Sequence, residues 1–351
     1  MLSNDKLFHT VKKMKKIKIQ FTDFWDVFDP NDNFITDALK KNFEVEISDN
    51  PDFVFCSIFG RKHLTYDCAK IYYTGENIIP DFNLVDYALG FQDISFYDRY
   101  LRLPHYVLYP RACELAAKKS VGSDEEFLNR KFCNYVVSNA VSCPERGEII
   151  DKLNAYKPLD SGGRYHNNVG GPVKDKIDFA AGYKFSIAIE NSCARGYTTE
   201  KIMEAFASKT VPIYWGNPDI SKEFNPKSFI NGHDFDSFDE LVEYVKKVDE
   251  DDESYLSMAR ASIFPDEGNC ASNNNRTDNS KESSVRECLA DNYLSDYLLN
   301  ICSQNPEDAI RRNRIYQGKY YEDEAKFHEK IDSMLYVPRR FMRGMKNRIK
   351  K

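Results

Sequence analysis

Residues Tyr183–Pro218 read YKFSIAIENSCARGYTTEKIMEAFASKTVPIYWGNP. Phe185, Ile187 and Ile189 alternate with the small residues Ser186 and Ala188, which is typical of a strand that is covered on both faces. Polar and small residues follow in Glu190–Gly196, and an amphipathic helical pattern then begins after Thr198 and Thr199, which favour an N-cap. A second apolar run, Val211–Trp215, completes a strand–helix–strand unit. This unit predicts an α/β fold.

The start of the predicted helix has the chemistry of an anion site. A helix N-terminus presents N–H groups without intrahelical partners and the positive end of the helix dipole, and Lys201 adds a full charge. We therefore expect a pyrophosphate to bind there. Glu200 points about 100° away around the helix, so the two side chains should not hold one group, and this carboxylate suits sugar hydroxyls better. On local pattern alone, an ordinary βαβ unit with two solvated first-turn side chains is equally compatible.

Three blocks of this stretch, FSIAIENS, GYTTEKIMEA and VPIYWGNP, resemble in order and spacing the donor-binding signature of the α-1,3/1,4-fucosyltransferases, which use GDP-fucose. YYTGEN at Tyr72–Asn77, followed by FNLVDYALGF at Phe82–Phe91, resembles the acceptor-side segment of the same family. The similarity runs from about Lys16 to about Val248. It implies a bacterial member of glycosyltransferase family 10 with a GT-B fold, in which two Rossmann-like domains face a cleft and helices follow at the C-terminus.

Composition and charge narrow the class of protein. A length of 351 residues with 42% hydrophobic content is enough for two domain cores, and the net charge of −6 argues against a general nucleic-acid binder. No apolar run approaches the roughly 20 residues that span a bilayer, and the N-terminal lysines lack the apolar core of a signal peptide. We therefore expect a cytoplasmic protein. Nine cysteines without a CxxC pair indicate neither a zinc site nor a disulfide framework.

The predicted domain organisation has three parts. Residues 1–145 form an acceptor-binding Rossmann-like domain, 146–300 a GDP-fucose-binding Rossmann-like domain, and 301–351 a C-terminal helical segment that ends in a basic amphipathic tail. The first boundary is placed near Cys143–Gly147, a polar stretch that opens the second α/β unit.

The tail combines seven Arg and Lys residues between Arg339 and Lys351 with apolar residues. Such a segment suits an anionic membrane surface, which would place the protein peripherally on the inner face of the cell membrane. A disordered basic tail explains the same composition equally well.

Glu76 is the candidate catalytic base. It follows a predicted strand, at the end where open α/β sheets bind ligands, and transfer to a sugar hydroxyl requires a base. From the residues alone, a solvated turn glutamate is the simpler interpretation, but Glu76 matches the position of the family's proposed base. Asn77 beside it, and Asp98 and Arg99 in DRYLRLP, are candidate acceptor contacts. An ordinary mixture of core and surface residues explains the last two equally well.

The resemblance also implies a set of donor contacts. Family members carry a basic residue just before an Asn, where it contacts the donor diphosphate. In GGRYHNN, His166 stands in that register and Arg164 lies two residues earlier. We prefer Arg164, since a guanidinium forks onto phosphate better than an imidazole, and keep His166 as the alternative. The other implied donor contacts are Glu190, Asn191, Tyr197, Glu200 and Lys201.

These residues support the hypothesis of an inverting fucosyltransferase. L-fucose would pass from GDP-fucose to O3 or O4 of N-acetylglucosamine in a lactosamine-type glycan, giving a product of the Lewis-antigen or lipopolysaccharide O-antigen type. No cofactor beyond the donor is expected and no metal, because Asp29 and Asp32 in FDPNDN are typical turn residues. Two alternatives stay open: a GT-B transferase for another nucleotide sugar, and a non-catalytic membrane-associated sugar-binding protein.

Overall fold

The computed structural model describes residues 14–138, 143–264, 292–315 and 317–349, with side chains as far as Leu335. The chain divides into two units. The first unit contains the described residues up to Thr74, the segment Pro80–Leu89 and the C-terminal residues from Asn292 onward. The second contains Gly75–Ile79 and the described residues from Gly90 to Phe264.

The strands are β1 (Lys15–Thr22), β2 (Phe43–Ile47), β3 (Phe53–Cys56), β4 (Ala69–Tyr73), β5 (Tyr87–Gly90), β6 (Tyr100–Arg102), β7 (Lys131–Tyr135), β8 (Asp160–Ser161), β9 (Tyr183–Ile189), β10 (Val211–Trp215) and β11 (Ile230–Asn231). The described helices are α1 (Phe34–Lys40), α2 (Pro110–Ala116), α3 (Asp124–Leu128), α4 (Pro144–Tyr156), α5 (Lys176–Ala180), α6 (Glu200–Ala207), α7 (Phe238–Glu250), α8 (Asp252–Arg260), α9 (Tyr293–Cys302) and α10 (Gln317–Ile349). The predicted α/β class is confirmed.

In the first unit, β2-β1-β3-β4-β5 lie side by side and every pair in this order is parallel. Helix α1 begins after Asn33, whose side-chain oxygen accepts hydrogen bonds from the N–H groups of Ile35 and Thr36. Asp29 lies in the preceding turn, where its carboxylate accepts from the N–H of Asn31 at 2.8 Å. This agrees with the interpretation of FDPNDN as a turn.

Asp86 joins the C-terminal part of the chain to the first sheet. Its carboxylate is fully buried, accepts from the N–H groups of Lys70, Arg311 and Arg312, and pairs with the Arg312 guanidinium. The contacts with Arg311 and Arg312 span more than 220 positions of sequence and tie residues 311–312 to the first unit. The two units therefore divide the chain differently from the ranges 1–145, 146–300 and 301–351, which remain a prediction of functional domains.

The second unit is built around the stretch that the sequence singled out. Its sheet has the order β11-β10-β9-β7-β8 and is parallel throughout. The predicted strand–helix–strand unit is confirmed as β9, α6 and β10. Phe185, Ile187 and Ile189 pack into the core that contains residues of α4 and α7, while Ala188 on the opposite face packs with residues of α6. The alternation of large and small side chains therefore lets helices cover both faces.

Lys119 is a buried amine in the second unit. Only 1% of the residue is exposed, and its Nζ donates to the carbonyl oxygens of Ser228 at 3.1 Å and Met258 at 2.8 Å. The Phe206 ring lies 5.5 Å from the same nitrogen. Burial lowers the pKa of Lys119 to about 7.

The buried amine should make stability depend on pH. Between about pH 7 and 10, the unfolded chain keeps a proton that the folded chain has released, so the free energy of unfolding should rise with pH. The slope is at most about 1.4 kcal/mol per pH unit. Lys119→Met should abolish this rise, whereas Lys118→Met, at an exposed position, should keep it. Urea unfolding in a Trp25→Phe background, followed by the fluorescence of Trp215, measures both; an unchanged slope in Lys119→Met would show that Lys119 is not the group.

Candidate functional site

Glu190 lies at the C-terminal end of β9 and is fully buried. Its Oε1 accepts from the N–H of Thr199 at 2.7 Å, and its Oε2 accepts from the Thr199 hydroxyl at 2.7 Å and from Lys201 Nζ at 3.0 Å. Gly216 packs against it, and a Cβ at that position would lie 2.5 Å from Glu190 Cγ. A larger residue at position 216 would therefore collide with the Glu190 side chain. Gly216 also has a φ of +155°, a backbone conformation that favours glycine.

This arrangement corrects the expectation of an open helix terminus. Thr199 is the N-cap of α6, as predicted, but its N–H is already bound by Glu190. Part of the anion-binding capacity is therefore used inside the protein. The helix dipole and Lys201 still favour an anion. The Lys201 side chain is 22% exposed, and two of its three N–H groups donate to Glu190 and Thr199, which leaves one for a ligand.

Lys201 and Glu200 are closer than their helical positions imply. The sequence-based expectation that the two side chains diverge is wrong for their charged ends, because Lys201 Nζ lies 3.8 Å from Glu200 Oε1. A lysine has four methylene groups and can fold back toward its neighbour. Burial alone would lower the pKa of Lys201, but the charges of Glu190 and Glu200 raise it above its ordinary value. Lys201 is therefore a cation at neutral pH.

Glu200 is held on its other side by His105. The distance between His105 Nδ1 and Glu200 Oε2 is 3.1 Å. Burial would raise the pKa of Glu200, but the hydrogen bond from His105 and the charge of Lys201 hold it well below its ordinary value. Glu200 is therefore ionised, and 16% of its side chain is exposed to a ligand.

A small hollow with a cavity volume of about 40 Å³, open to solvent, lies beside Lys201. Its polar lining consists of Asn134, Arg146, Lys176, Ser186, Lys201, Glu204 and Ser208, and its apolar lining of Val136, Val137, Ala180, Ile187, Ile189 and Ala205. Three of these side chains are cationic and one is acidic. The hollow therefore favours an anionic ligand.

Arg146 is a residue of this hollow that the sequence reasoning missed. It lies in the first turn of α4, is 2% exposed, and its Nη1 donates to Asn191 Oδ1 at 3.1 Å. Like Lys201, it is a basic residue at the start of a helix that follows a strand of this sheet, which is the signal that could have found it. Asn191, one of the implied donor contacts, is thereby fixed beside the hollow.

Arg164 and His166 lie in the loop after β8, and both side chains are exposed. The His166 ring stacks on Tyr165 at 4.0 Å, and the residue has a left-handed φ of 49°. Neither residue lines the hollow beside Lys201. Their assignment to the diphosphate therefore remains a prediction.

Glu76 is exposed and belongs to the second unit through the segment Gly75–Ile79. The next residue, Asn77, donates from Nδ2 to the Ser192 hydroxyl at 3.0 Å. Ser192 follows Glu190 in the loop between β9 and α6. The structure thus brings the candidate base to the same loop that supplies Glu190 and Asn191.

The other predicted contacts differ in exposure. Tyr197 is 2% exposed and packs against Phe91, with ring centroids 4.7 Å apart, so it supports the loop from beneath. Asp98 is exposed, and the Arg99 guanidinium lies 4.8 Å from the centroid of the Phe96 ring. Arg99 is partly exposed, and the assignment of Asp98 and Arg99 as acceptor contacts remains a prediction.

Two searches of the described residues bear on metals and membranes. No group of three or more His, Cys, Asp or Glu side chains in residues 14–138, 143–264, 292–315 and 317–335 is arranged to hold a metal ion. In the same part of the chain, no helix combines the length and the apolar character that crossing a bilayer requires.

Two family models match the sequence. The "Alpha-(1,3)-fucosyltransferase FucT N-terminal domain" matches residues 19–109, and "Glycosyltransferase family 10 (fucosyltransferase) C-term" matches residues 128–260. Alpha-(1,3)-fucosyltransferase FucT of Helicobacter pylori is 36% identical over 288 residues, which cover 70% of this chain and 60% of that protein. Alpha-(1,3)-fucosyltransferase B of Drosophila melanogaster is 29% identical over 49% of this chain and 43% of its own length. The chain thus spans less than two thirds of these relatives.

Solved structures of an α1,3-fucosyltransferase are also similar. The crystal structure with GDP has a TM-score of 0.67 and 29% identity, covering 84% of this chain and 93% of that one. The crystal structure with GDP-fucose has a TM-score of 0.69 and 29% identity, covering 89% and 96%. This likeness confirms the predicted GT-B type of α/β fold.

Proposed function

Because the chain belongs to glycosyltransferase family 10, the fucosyltransferases, we propose that it transfers L-fucose from GDP-fucose to a sugar hydroxyl. The observation that carries the proposal is the hollow lined by Arg146, Lys176 and Lys201 beside the start of α6. A nucleoside diphosphate carries the complementary charge. The loop after β9, which supplies Asn191, is also the loop on which the Glu76 segment rests.

The donor would be held by groups of complementary charge. Lys201 and Arg146 face the diphosphate, with Arg164 or His166 as a further contact, and the α6 dipole adds to their field. Glu200, an ionised carboxylate, accepts from the ribose hydroxyls. Glu190 is fully buried, so it does not touch the donor. It holds the Lys201 ammonium group in place through their hydrogen bond.

The proposed reaction is a single displacement with inversion. Glu76 takes the proton of the acceptor hydroxyl as its oxygen bonds to the anomeric carbon of fucose. The bond from that carbon to the phosphate oxygen breaks, and GDP leaves with the electron pair. Lys201 and Arg146 stabilise the charge that develops on the departing phosphate. By analogy with glycoside hydrolysis, the transition state resembles an oxocarbenium ion.

The proposed acceptor is a lactosamine-type glycan, fucosylated at O3 or O4 of N-acetylglucosamine to give a Lewis-type product. Asn77, Asp98 and Arg99 are the proposed acceptor contacts. The test is GDP release from GDP-fucose, with GDP-mannose as control donor and with N-acetyllactosamine and its 1,3-linked isomer as acceptors. Turnover with GDP-mannose alone would establish a different donor, and nucleotide binding without any turnover would indicate a sugar-binding protein.

Lys201→Ala should weaken GDP binding by about 10- to 100-fold, because a hydrogen bond between charged groups contributes about 1.5–3 kcal/mol. Lys222→Ala, at an exposed lysine of the same unit, is the matched control and should bind like the unsubstituted chain. Calorimetric titration measures both. The substitution also removes the partner of Glu190, so thermal melting must accompany it. A folded Lys201→Ala variant with unchanged GDP affinity would remove Lys201 from the donor site.

We also propose that the basic C-terminal residues bind an anionic membrane surface. The support is compositional: seven Arg and Lys residues lie between Arg339 and Lys351. The side chains from Tyr336 onward lie outside the described ones. Sedimentation with phosphatidylserine vesicles at low and high salt tests the idea, because the attraction is screened over about 10 Å at 0.1 M salt. No binding at low salt would reject it.

A further inference from the structure

His105 contacts Glu200, an ionised carboxylate at the start of α6 that is partly exposed. His105 is the first residue of a 3₁₀ turn, His105–Leu108, and the second residue of the turn, Tyr106, is held in the protein interior. Tyr106 is fully buried and donates from its hydroxyl to Glu223 Oε2 at 3.0 Å. The His105 ring also meets Tyr109 edge to face at 5.3 Å. The imidazole is therefore presented from a fixed backbone.

The chemistry of the contact fixes the role of each atom. Glu200 is ionised and can only accept, so Nδ1 of His105 carries the proton of their hydrogen bond. Glu200 Oε2 is thereby held on the His105 side. Both the neutral and the protonated imidazole can make this bond, since either form can donate from Nδ1.

Two cations act on Glu200 from α5 and α6. Lys201 Nζ lies 3.8 Å from Oε1, and the charge of Lys176 also acts on the carboxylate. The hydrogen bond from His105 to Oε2 opposes their attraction, which would otherwise draw the carboxylate toward the lysines that the diphosphate needs. The hydrogen bond from His105 thus keeps Glu200 available for hydroxyl groups and leaves Lys201 and Lys176 available for phosphates.

We propose that His105 is a positioning residue that holds Glu200 in the orientation that accepts the two ribose hydroxyls of the donor nucleotide. The inference rests on the proposed function and assigns the recognition of the sugar part of the nucleotide to a pair rather than to Glu200 alone. A carboxylate with one oxygen fixed has lone pairs left on both oxygens, enough for a vicinal diol.

The experiment compares GDP with 2′,3′-dideoxy-GDP by calorimetric titration of the full chain. The ratio of their dissociation constants reports the hydroxyl contacts and should be about 10 to 100 in the unsubstituted chain. His105→Leu should reduce the ratio to about 3 or less. His105→Asn should restore it, because the Asn amide nitrogen can donate from the place of Nδ1. His328→Leu, at an exposed histidine of the first unit, is the control.

Kinetics provide a second readout. The KM for GDP-fucose should rise about tenfold in His105→Leu with kcat changed by less than about twofold, since the lost contact serves ground state and transition state alike. If His105→Leu lowers the melting temperature by more than a few degrees, His105→Gln is used in its place. The amide of Gln extends beyond the position of Nδ1 and cannot make the hydrogen bond to Glu200, so the ratio of dissociation constants should fall as in His105→Leu.

The outcomes separate the inference from its premise. A ratio that survives in His105→Leu, or that is lost equally in His105→Asn, overturns the role of the hydrogen bond. Equal binding of the two nucleotides by the unsubstituted chain overturns the ribose contact of Glu200 while GDP binding stands. Failure of the unsubstituted chain to bind GDP at all overturns the proposed function, and the inference falls with it.

Discussion

Glu76→Gln should lower turnover by a factor of about 100 or more and leave GDP-fucose binding intact. The amide keeps the size of the side chain and can still hydrogen-bond to the acceptor hydroxyl, but it cannot take the proton. Since Glu76 is exposed, the substitution should cost little stability. Turnover is measured as GDP release at saturating acceptor, and donor binding by titration.

A matched substitution shows whether the effect belongs to the site. Glu44→Gln, at an exposed position of β2, should leave turnover unchanged. Asn77 provides a second comparison, since it positions the segment through Ser192 without taking the proton. Asn77→Ala should therefore lower turnover less than Glu76→Gln does. Near-normal turnover in Glu76→Gln would exclude Glu76 as the base.

The parts of the fold that could be predicted are those in which apolar residues recur with the period of a strand or a helix. The stretch Tyr183–Pro218 alternates with period two, then with the helical period, then with short apolar runs, and each segment became the expected element. The N-cap position at Thr199 was equally predictable, since a hydroxyl residue precedes the apolar face of the helix, although the Thr199 hydroxyl donates to Glu190 and does not cap the helix.

The pairing of Glu190 with Lys201 was not predictable in the same way. Eleven positions separate them, and the contact depends on which rotamers the buried side chains adopt beside Gly216. A sequence pattern carries no rotamer information. For this reason the helix terminus was predicted as open when part of it is occupied. The contacts of Glu190, which was predicted as a donor contact, with Thr199 and Lys201 were not foreseen either.

Arg146 and His105 were missed for another reason. Each lies more than 40 positions from its partner, Asn191 or Glu200, so no local pattern joins the residues of the pair. Burial was the missing information, because a 2% exposed arginine beside a hollow differs chemically from a solvated one of the same sequence context.

Asp86 shows how far such long-range contacts reach. Its segment, FNLVDYALGF, was read only as part of the acceptor side, yet the carboxylate holds the backbone of Arg311 and Arg312. Lys70 adds a neighbouring buried pair with Glu322, 3.4 Å apart, so α10 is tied to β4 as well. The C-terminal chain is thus attached to the first unit by buried charge as well as by the apolar residues Leu298 and Ile301 of α9.

Asp86→Asn should therefore destabilise the first unit by about 3–5 kcal/mol, because it leaves the Arg312 guanidinium buried without its counter-charge. The two tryptophans of the chain separate the units, since Trp25 lies in the first and Trp215 in the second. In a Trp215→Phe background, urea unfolding followed by Trp25 fluorescence reports the first unit alone. Asp32→Asn, at an exposed carboxylate of the same unit, should change the free energy of unfolding by less than about 0.5 kcal/mol.

The double variant Asp86→Leu/Arg312→Met tests the cause. Replacing a buried ion pair by apolar side chains is often neutral or stabilising, so the double variant should recover much of what Asp86→Asn loses. Leu, unlike Asn, offers no oxygen to the backbone N–H groups of Lys70, Arg311 and Arg312, so recovery should be incomplete by roughly 1–3 kcal/mol. A double variant as unstable as Asp86→Asn would show that losing an acceptor for these N–H groups costs as much as leaving the guanidinium unpaired.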